Sequence, residues 1–396
     1  MHTMKMSEPV CWLVLCLACL CAGNGAANAD PAPTPVIVVT DLYHPPQDPG
    51  DNFDLIAAYA LPEIDLKAVI LDVTDPFREP ETRDEDGKIL GRHGPREPGI
   101  IPVTQLNYIF DRSVPYGLGP FTRMRTPDDT MPELPVFQQS GLVLLRDTLA
   151  SSAQPVEIVS FGSARPIAVA YNRYPRLFAE QLRRIHLCAG ATSPNFIEWN
   201  VMLDPHAIVR LLCSNLPIAL YPCATDSPFA LGRHNTYWRL PNLQFVADMA
   251  PSLQRYLAYG FTASTRPDFL RAMDHDFPQE AVASLYSRHH NVWETAVWME
   301  VANRRLVQHA NGQYRIVPAD SVAADDTVLP GSLRPCEVTV HDDGTFAFTF
   351  DKKSGNITLY DRGEPELNQA ALQQALPALY RNFRPPPRNQ RNTPPE

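Results

Sequence analysis

The first half of the chain alternates short apolar runs with stretches in which apolar residues recur at helical spacing. The apolar runs lack polar alternation, so they predict strands that are covered on both faces. These runs are residues 36–40, 66–71, 156–160, 185–188 and 218–221. The helical patterns between them are residues 53–61, 100–110, 141–149, 167–171 and 207–212. This alternation predicts an α/β fold: an open, mostly parallel, Rossmann-like sheet with helices on both faces.

The last third of the chain is less regular. Helical patterns cover residues 240–259, 294–304 and 369–380. Alternating runs around Asp343-Gly344 predict a small C-terminal antiparallel β meander within residues 335–362. Earlier in the chain, the charged, aperiodic residues 75–98 predict a long surface loop. We assign residues 30–380 to the main domain and residues 381–396 to a disordered, proline-rich tail.

The N-terminal segment has the features of a targeting sequence. Lys5 precedes an apolar run at residues 10–21, and Ala27-Asn28-Ala29 offers a small-residue cleavage site. This pattern predicts a signal peptide over residues 1–29, and hence a secreted or periplasmic protein. A lipid anchor on Cys19 or Cys21 is the alternative. The run is short for a transmembrane helix, and no other window approaches a membrane span.

Charge and cysteine content narrow the range of partners. The chain has 396 residues, with 34 Lys and Arg against 44 Asp and Glu, and a formal net charge of −10. That balance argues against a nucleic-acid polymer as partner and leaves room for a cation site or a neutral substrate. Four cysteines lie in the leader. The other four, for which we predict buried free thiols while leaving any pairing open, are Cys188, Cys213, Cys223 and Cys336.

Acidic residues cluster after the first predicted strand. Asp41 follows the strand directly, at the edge where open α/β sheets bind their ligands, and Asp51 and Asp54 begin the next helix. Several carboxylates in an irregular loop suit Ca²⁺, which takes six to eight oxygen ligands. Helix capping is an alternative explanation for Asp51 and Asp54, and a solvated turn is our preferred explanation for Asp48.

Three sequence blocks resemble the inosine-uridine-preferring nucleoside hydrolases. They are VIVVTDL with the following DPGDNFDLIAAYA, then PVEIVSFGSARPIAVAYNRYPRLF, then IHLCAGATSPNFIEWNVMLDPHAIVRLL, within residues 35–223. The resemblance is weak after Cys223. It implies hydrolysis of the N-glycosidic bond of a ribonucleoside or related ribosyl compound by a water molecule that Ca²⁺ activates.

The resemblance also implies roles for matching residues. Asp41 would be the catalytic base and a metal ligand, and Asp54 a second ligand. The family's penultimate acid is Phe53 here, so Asp51 is its expected substitute. Arg165 would supply a backbone carbonyl to the metal.

The remaining expected roles concern the substrate and the C-terminal ligand. Glu198 and Asn200 would bind ribose hydroxyls, although a surface acid and an Asx-turn are the structural alternatives. We favour Glu294 over Asp276 as the last metal ligand. Trp293, expected to bind substrate, stands where the family often has a histidine that protonates the leaving base.

The leaving-group acid is left open among His44, His290 and a stacking tryptophan. The competing hypothesis is a secreted nucleoside- or sugar-binding protein, or a hydrolase-like pseudoenzyme, which Phe53 and Trp293 slightly favour. A phosphohydrolase with Asp41 as nucleophile ranks last. Base and sugar specificity, and assembly into a homo-oligomer, are left open.

Overall fold

The computed structural model describes residues 32–46, 49–78, 81–83, 89–92, 96–350 and 355–387. The predicted signal peptide at residues 1–29, the predicted turn residue Asp48 and residues 388–396 of the predicted tail lie outside the described residues. Within the described part, no helix is long and apolar enough to cross a membrane.

The strands are numbered in chain order. They are β1 (Thr34–Thr40), β2 (Ile64–Leu71), β3 (Glu81–Arg83), β4 (Ile89–Arg92), β5 (Tyr116–Leu118), β6 (Val156–Ser160), β7 (Leu182–Leu187), β8 (Ile218–Leu220), β9 (Trp238–Leu240), β10 (His290–Val292), β11 (Arg304–Gln308), β12 (Tyr314–Pro318), β13 (Thr327–Val328), β14 (Ser332–Pro335), β15 (Glu337–Val340), β16 (Phe346–Thr349) and β17 (Ile357–Asp361).

The helices are numbered in the same way. They are α1 (Gly50–Ala60), α2 (Asp75–Arg78), α3 (Ile100–Phe110), α4 (Ser140–Ser151), α5 (Arg165–Arg173), α6 (Pro175–Gln181), α7 (Trp199–Leu203), α8 (Pro205–Leu212), α9 (Pro251–Phe261), α10 (Gln279–Ser287), α11 (Val297–Val301) and α12 (Pro365–Arg381). Short 3-10 helices cover Val136–Gln139, Gln244–Asp248, Arg271–Asp274 and Ala319–Ser321.

An eight-stranded sheet organises the fold, in the order β14-β17-β8-β7-β6-β1-β2-β5. Its neighbouring strands are parallel except at the β14 edge, where β14 pairs antiparallel with β17. The chain builds outward from β1 through β2 to β5, then returns to the other side of β1 with β6. This reversal makes the carboxyl ends of β1 and β6 a topological switch point, where open α/β sheets bind ligands.

Strand β1 is covered on both faces, as its unbroken apolar pattern predicts. Val36 and Val38 pack in one apolar layer, whereas Ile37 and Val39 pack in the other. Because successive side chains of a strand point to opposite faces, one short sequence anchors both layers. The predicted α/β class with a mostly parallel sheet is confirmed, and α3 has the bounds that the sequence predicts.

Three predicted segments differ from the structure. Residues 240–259 form no continuous helix: the chain passes from β9 through a 3-10 helix to α9. Pro241 and Pro251 explain these breaks, since proline lacks an amide hydrogen and disfavours helix in the residue before it. Residues 294–304 contain only the short α11, and Asn303, with φ of 49°, precedes β11. Residues 75–98 include α2 and the antiparallel β3–β4 pair rather than loop alone.

The predicted meander is divided between two sheets. Strands β15 and β16 form the expected antiparallel pair. Strand β17 instead lies parallel to β8 in the central sheet, with β14 along its other edge. Most of β17 is buried, which is typical of a central strand with both faces covered. Further antiparallel pairing joins β12, β11 and β13, and β9 with β10.

Candidate active site

A cleft of about 370 Å³ opens at the carboxyl ends of the parallel strands. We call it the acid cleft, because carboxylates contribute to its lining and no lysine or arginine is among its described lining residues. It is lined by Asp41, Gly50, Asp51, Phe161, Phe196, Ile197, Glu198, Trp199, Asn200, Met202, Cys223, Ala224, Pro228, Phe229, Trp293 and Glu294. Six of the predicted site residues are therefore brought together: Asp41, Asp51, Glu198, Asn200, Trp293 and Glu294.

Asp41 is the first residue after β1, and its side chain lines the cleft. The segment that follows β6 approaches Asp41 closely at Gly162. A Cβ atom at Gly162 would lie 3.3 Å from Asp41 Cβ and 2.7 Å from Asp72 Oδ2. Glycine at this position therefore allows the ends of β1, β2 and β6 to meet around Asp41.

The start of α1 carries two more of the predicted acids. The N-cap position of α1 is Pro49, which makes no side-chain cap, so Asp51 and Asp54 lie inside the helix and neither is its N-cap residue. Asp51 lines the cleft, whereas Asp54 is fully buried, with both carboxylate oxygens out of contact with solvent. Phe53 lies in the core and stacks on Tyr380 with ring centroids 4.8 Å apart, which accounts for the apolar residue there.

Glu198 and Asn200 also line the cleft. The backbone amide of Gly190 donates to Glu198 Oε2 over 2.7 Å, and that of Asn200 donates to Glu198 Oε1 over 3.0 Å. Glu198 is only 5% exposed, so the surface-acid alternative is wrong. Burial raises the pKa of the Glu198 carboxyl to about 7, although its backbone hydrogen bonds oppose the shift.

The Asn200 amide connects two parts of the site. Its Nδ2 donates to the backbone carbonyl of Cys188 over 2.9 Å and to Glu294 Oε1 over 3.0 Å. These two acceptors fix the orientation of the amide, since only nitrogen can donate to both. The long-range contact to Glu294 is not an Asx-turn, and it leaves Asn200 Oδ1 as the acceptor that the side chain can offer a ligand.

Glu294 enters the cleft from a strand that the sequence pattern does not reveal. Strand β10 pairs antiparallel with β9 and ends at Val292, so Trp293 and Glu294 follow it directly into the cleft. Glu294 has φ of 70°, a left-handed conformation that costs a non-glycine residue of order 1–3 kcal/mol and often marks functional positions. Asp276 instead is exposed and forms an ion pair with Arg255 over 2.9 Å.

The charges of these acids act on one buried thiol. Burial raises the pKa of Cys188 well above its usual range, and four carboxylates raise it further: Glu294, Asp54, Glu198 and Asp51. Their shared influence shows that the acids converge in one region of low dielectric. Cys188 and Cys223 are buried free thiols, as predicted, whereas Cys213 is exposed, contrary to prediction.

Aromatic side chains form the remaining wall. Trp293 lies 6.1 Å from Phe229 and 5.6 Å from Tyr237 between ring centroids, and its indole Nε1 donates to the Pro228 carbonyl over 3.2 Å. Phe229 is 59% exposed. An exposed aromatic face beside a polar cleft is suited to stacking on a planar ring.

The two candidate histidines lie outside the described lining of the acid cleft. His44 Nε2 is 2.8 Å from the backbone carbonyl of Ser264, and its ring stacks on Tyr259. Burial lowers the pKa of the His44 imidazole. His290 lines an adjoining groove, and Trp293 lines that groove as well.

Arg165 is the first residue of α5, and its side chain is fully buried outside the described lining of the acid cleft. Its Nε donates to Asp204 Oδ2 over 2.8 Å, while Nη1 donates to the carbonyls of Val73 and Pro120. Asp72, which accepts from the backbone amide and hydroxyl of Ser163, lies in the same network. We call Arg165, Asp204, Asp72 and Ser163 the arginine cluster. The role of the Arg165 carbonyl as a metal ligand stays a prediction.

Sequence reasoning missed several residues near the site. Asp72 follows β2 just as Asp41 follows β1, so its strand-end position was the available signal. Arg96 belongs to a charged segment that the sequence predicts to be a solvated face, with a lid over the site as the alternative. Burial lowers its pKa, and Tyr43 and Asp41 oppose that shift, which places Arg96 near both. Cys223, whose thiol lies 3.6 Å from Glu294 Oε1, follows β8.

A metal ion requires several donor groups arranged around one centre. Among the described residues, no group of three or more His, Cys, Asp or Glu side chains is placed to hold one ion. The acid cleft nevertheless offers only hard oxygen donors from its acidic side chains, the type that Ca²⁺ and Mg²⁺ prefer.

Known proteins with similar sequences are ribonucleoside hydrolases, although no protein-family model matches the chain. The non-specific ribonucleoside hydrolase RihC of Salmonella agona is 25% identical over 228 residues, which cover 54% of this chain and 70% of that protein. The pyrimidine-specific ribonucleoside hydrolase RihA of Salmonella paratyphi B is 28% identical over 184 residues, which cover 44% of this chain and 57% of that protein.

A solved structure, the purine-preferring ribonucleoside hydrolase from Gardnerella vaginalis, is 15% identical, with a TM-score of 0.46 over 88% of this chain and 99% of that chain. The sequence similarities bear on the predicted resemblance. They confirm it at the coarser level of the ribonucleoside hydrolases, enzymes to which this chain is similar over about half of its length.

Proposed function

We propose that this protein hydrolyses the N-glycosidic bond of a ribonucleoside or a related ribosyl compound in the acid cleft. The observation that carries the proposal is the convergence of Asp41, Asp51, Glu198 and Glu294 on one cleft at the switch point of the sheet. The similarity to ribonucleoside hydrolases supports it independently.

The proposed reaction needs few groups. Asp41 accepts a proton from a water molecule, whose oxygen bonds to the anomeric carbon. The carbon–nitrogen bond breaks, and its electron pair leaves with the base, which takes a proton from solvent while Asp41 returns its proton to solvent. Positive charge develops on the ribosyl ring, and the surrounding carboxylates stabilise it. Glu198 and Asn200 Oδ1 accept hydrogen bonds from ribose hydroxyls.

We further propose that Asp41, Asp51, Asp54, Glu294 and the Arg165 carbonyl hold Ca²⁺. The bound ion would lower the pKa of the attacking water and orient it. Buried carboxylates without a lysine or arginine in the described lining of the cleft support this assignment, because a cation would offset the cost of their desolvation.

Two finer points of the proposal concern the base and the destination of the protein. Among neutral nucleosides we propose inosine and uridine as the preferred substrates, from the resemblance of the sequence blocks, with Trp293 stacking on the leaving base. We also propose that residues 1–29 direct export and are removed. Mass spectrometry of the protein recovered outside the cytoplasm should give a chain that begins near Asp30, whereas an intact N-terminus on cytoplasmic protein would contradict export.

Release of ribose tests the proposed activity. Wild-type protein supplied with Ca²⁺ should release reducing sugar from uridine or inosine, and Asp41→Asn should lower kcat by about 10²–10⁴-fold. The control is Asp276→Asn, which removes an exposed, ion-paired carboxylate and should leave kcat unchanged. Calorimetric binding of nucleoside without turnover by the wild type would favour the binding-protein hypothesis, and neither binding nor turnover would overturn both.

A further inference from the structure

A second groove adjoins the acid cleft and shares Trp293 with it. This groove, of about 480 Å³, is lined by Pro45, Pro46, Pro49, Gly260, Phe261, Ala263, Arg288, His289, His290, Asn291 and Trp293. We call it the basic groove, because its described lining contains an arginine and two histidines but no acidic residue. The lining of the acid cleft shows the opposite composition.

The basic residues belong to the segment that leads into the acid cleft. His290 begins β10, and Trp293 and Glu294 follow its last residue. Three residues of extended chain from His290 to Trp293 cover roughly 10 Å. The strand is held in register by β9, and the Tyr237 hydroxyl donates to Asn291 Oδ1 over 2.9 Å. The basic groove is thus fixed relative to the acid cleft at a separation that one small molecule can span.

Arg288, the arginine of the groove, has no counter-ion among the described residues. Nearby arginines are neutralised: Arg255 pairs with Asp276, and Arg266 pairs with Asp268 over 2.8 Å. In the described part of the chain, no hydrogen bond or ion pair engages the side chain of Arg288, which is exposed, as is His289. An unneutralised guanidinium in a protein of net charge −10 is a local site of positive potential.

We propose that the basic groove binds an anionic substituent, a phosphate or a carboxylate, of the ribosyl substrate whose sugar occupies the acid cleft. This inference rests on the proposed function. A guanidinium donates two parallel hydrogen bonds to either anion, and imidazole groups can add further donors. The carboxylates of the acid cleft repel the same substituent, so the charge difference across Trp293 orients the substrate and favours anionic ribosyl compounds over neutral ones.

Two chemical sources of the anion can be separated by substrate choice. Uridine 5′-monophosphate carries its anion on the sugar, and orotidine carries a carboxylate on the base; uridine carries neither. Ribosyl release from all three is measured at low ionic strength with wild type, Arg288→Gln and the control Arg266→Gln. We expect at least one anionic compound to have a KM at least tenfold below that of uridine, and Arg288→Gln to remove most of that advantage.

The outcomes separate this inference from the proposed function. Turnover of uridine with no KM advantage for either anionic compound, or an advantage that survives Arg288→Gln, would overturn the anion subsite and leave the hydrolase intact. If Arg266→Gln also loses the KM advantage of the anionic compound, general surface charge would explain that advantage. This result would also overturn the subsite. If no compound is hydrolysed, calorimetric titration with uridine 5′-monophosphate and orotidine decides: binding of either that depends on Arg288 supports the groove, and its absence overturns it.

Discussion

Two buried polar regions lie near the carboxyl ends of the parallel strands, and they differ in how their charges are balanced. In the arginine cluster, Arg165 donates to the Asp204 carboxylate, to two carbonyls and to the hydroxyl of Thr74, all within 2.9 Å. In the acid cleft, carboxylates gather around a cavity whose described lining contains no lysine or arginine. The first region contains its own cation, whereas the described lining of the second contains none.

The difference separates a structural role from a functional one. Burying a charge is costly unless it is paired and hydrogen-bonded, and the arginine cluster meets that condition for its guanidinium. Asp204 also accepts from the Met124 and Ala207 amides, so the cluster joins segments distant in sequence. Under the proposed function, the acid cleft instead receives positive charge from outside, from a metal ion or from a substrate on which positive charge develops.

Breaking the arginine cluster should give the largest effect on stability. Arg165→Met leaves Asp204 and Asp72 buried without their cation, which should lower the free energy of unfolding by about 3–5 kcal/mol. Urea unfolding measures the change. The control Arg266→Met disrupts the exposed pair with Asp268 and should cost less than about 1 kcal/mol. Equal costs for the two variants would show that the cluster does not have the structural role assigned to it.

Glu198 should make stability depend on pH in a direction that identifies its buried environment. Its pKa in the folded state is about 7, against an ordinary value of 4.5, so the folded protein holds a proton that the unfolded chain has released. The stabilising contribution is present below pH 4.5 and is lost as pH rises through about 7.

Glu198→Gln removes this dependence. The stability of wild type relative to the variant should therefore fall across that window by on the order of 3 kcal/mol. Urea unfolding at a series of pH values measures it. A difference that stays constant with pH would mean that the Glu198 pKa is not raised.

Metal binding distinguishes the two candidates for the C-terminal ligand. Glu294→Gln should weaken Ca²⁺ binding roughly 100-fold, equivalent to about 2.7 kcal/mol, because it removes a carboxylate from the cleft. Asp276→Asn should leave binding unchanged, since its carboxylate pairs with Arg255 at the surface. Isothermal titration calorimetry measures both. The opposite result would move the ligand assignment to Asp276.

Gly162 lies between the arginine cluster and the acid cleft. Its substitution should therefore disturb both regions, with a smaller effect than the loss of Arg165 or Glu294. The Cβ atom of Gly162→Ala would meet Asp72 Oδ2 of the cluster and Asp41 Cβ of the cleft. We expect a loss of about 1–3 kcal/mol in the free energy of unfolding, as for overpacking elsewhere, together with lower activity. Gly331→Ala, whose added Cβ would lie 4.0 Å from its nearest neighbour, is the control. No difference between the variants would contradict the close approach.

The local sequence pattern was sufficient to predict much of the central sheet and one side of the site. Strand β1 is a continuous apolar run, and the position of Asp41 at its end follows from the rule that ligands bind at the carboxyl ends of parallel strands. The resemblance of sequence blocks supplied Glu198 and Asn200. The strand and Asp41 depend on periodicity that is visible in the chain, whereas Glu198 and Asn200 depend on the resemblance.

The rest depends on contacts between distant segments. Glu294 reaches the cleft because β10 pairs with β9, whose residues lie at least fifty positions earlier in the chain. Strand β17 joins the central sheet because its burial on both faces outweighs the hairpin pattern that precedes it. The buried side chain of Arg165 could not be foreseen, since its acceptors include the carbonyls of Val73 and Pro120 and the carboxylate of Asp204. The periodicity of the sequence does not predict such contacts between distant segments.

The measurement that tests the account most directly is ribose release from uridine by protein treated with a chelator, before and after Ca²⁺ is restored. If the acids of the cleft require an external cation, the chelated protein should stay folded but be inactive. Added Ca²⁺ should then restore turnover in wild type but not in Asp41→Asn. Circular dichroism on the same samples confirms that the fold persists. Full activity in the chelated protein, or no activity after Ca²⁺ is restored to folded protein, would contradict the proposal that the acid cleft is a Ca²⁺-dependent hydrolytic site.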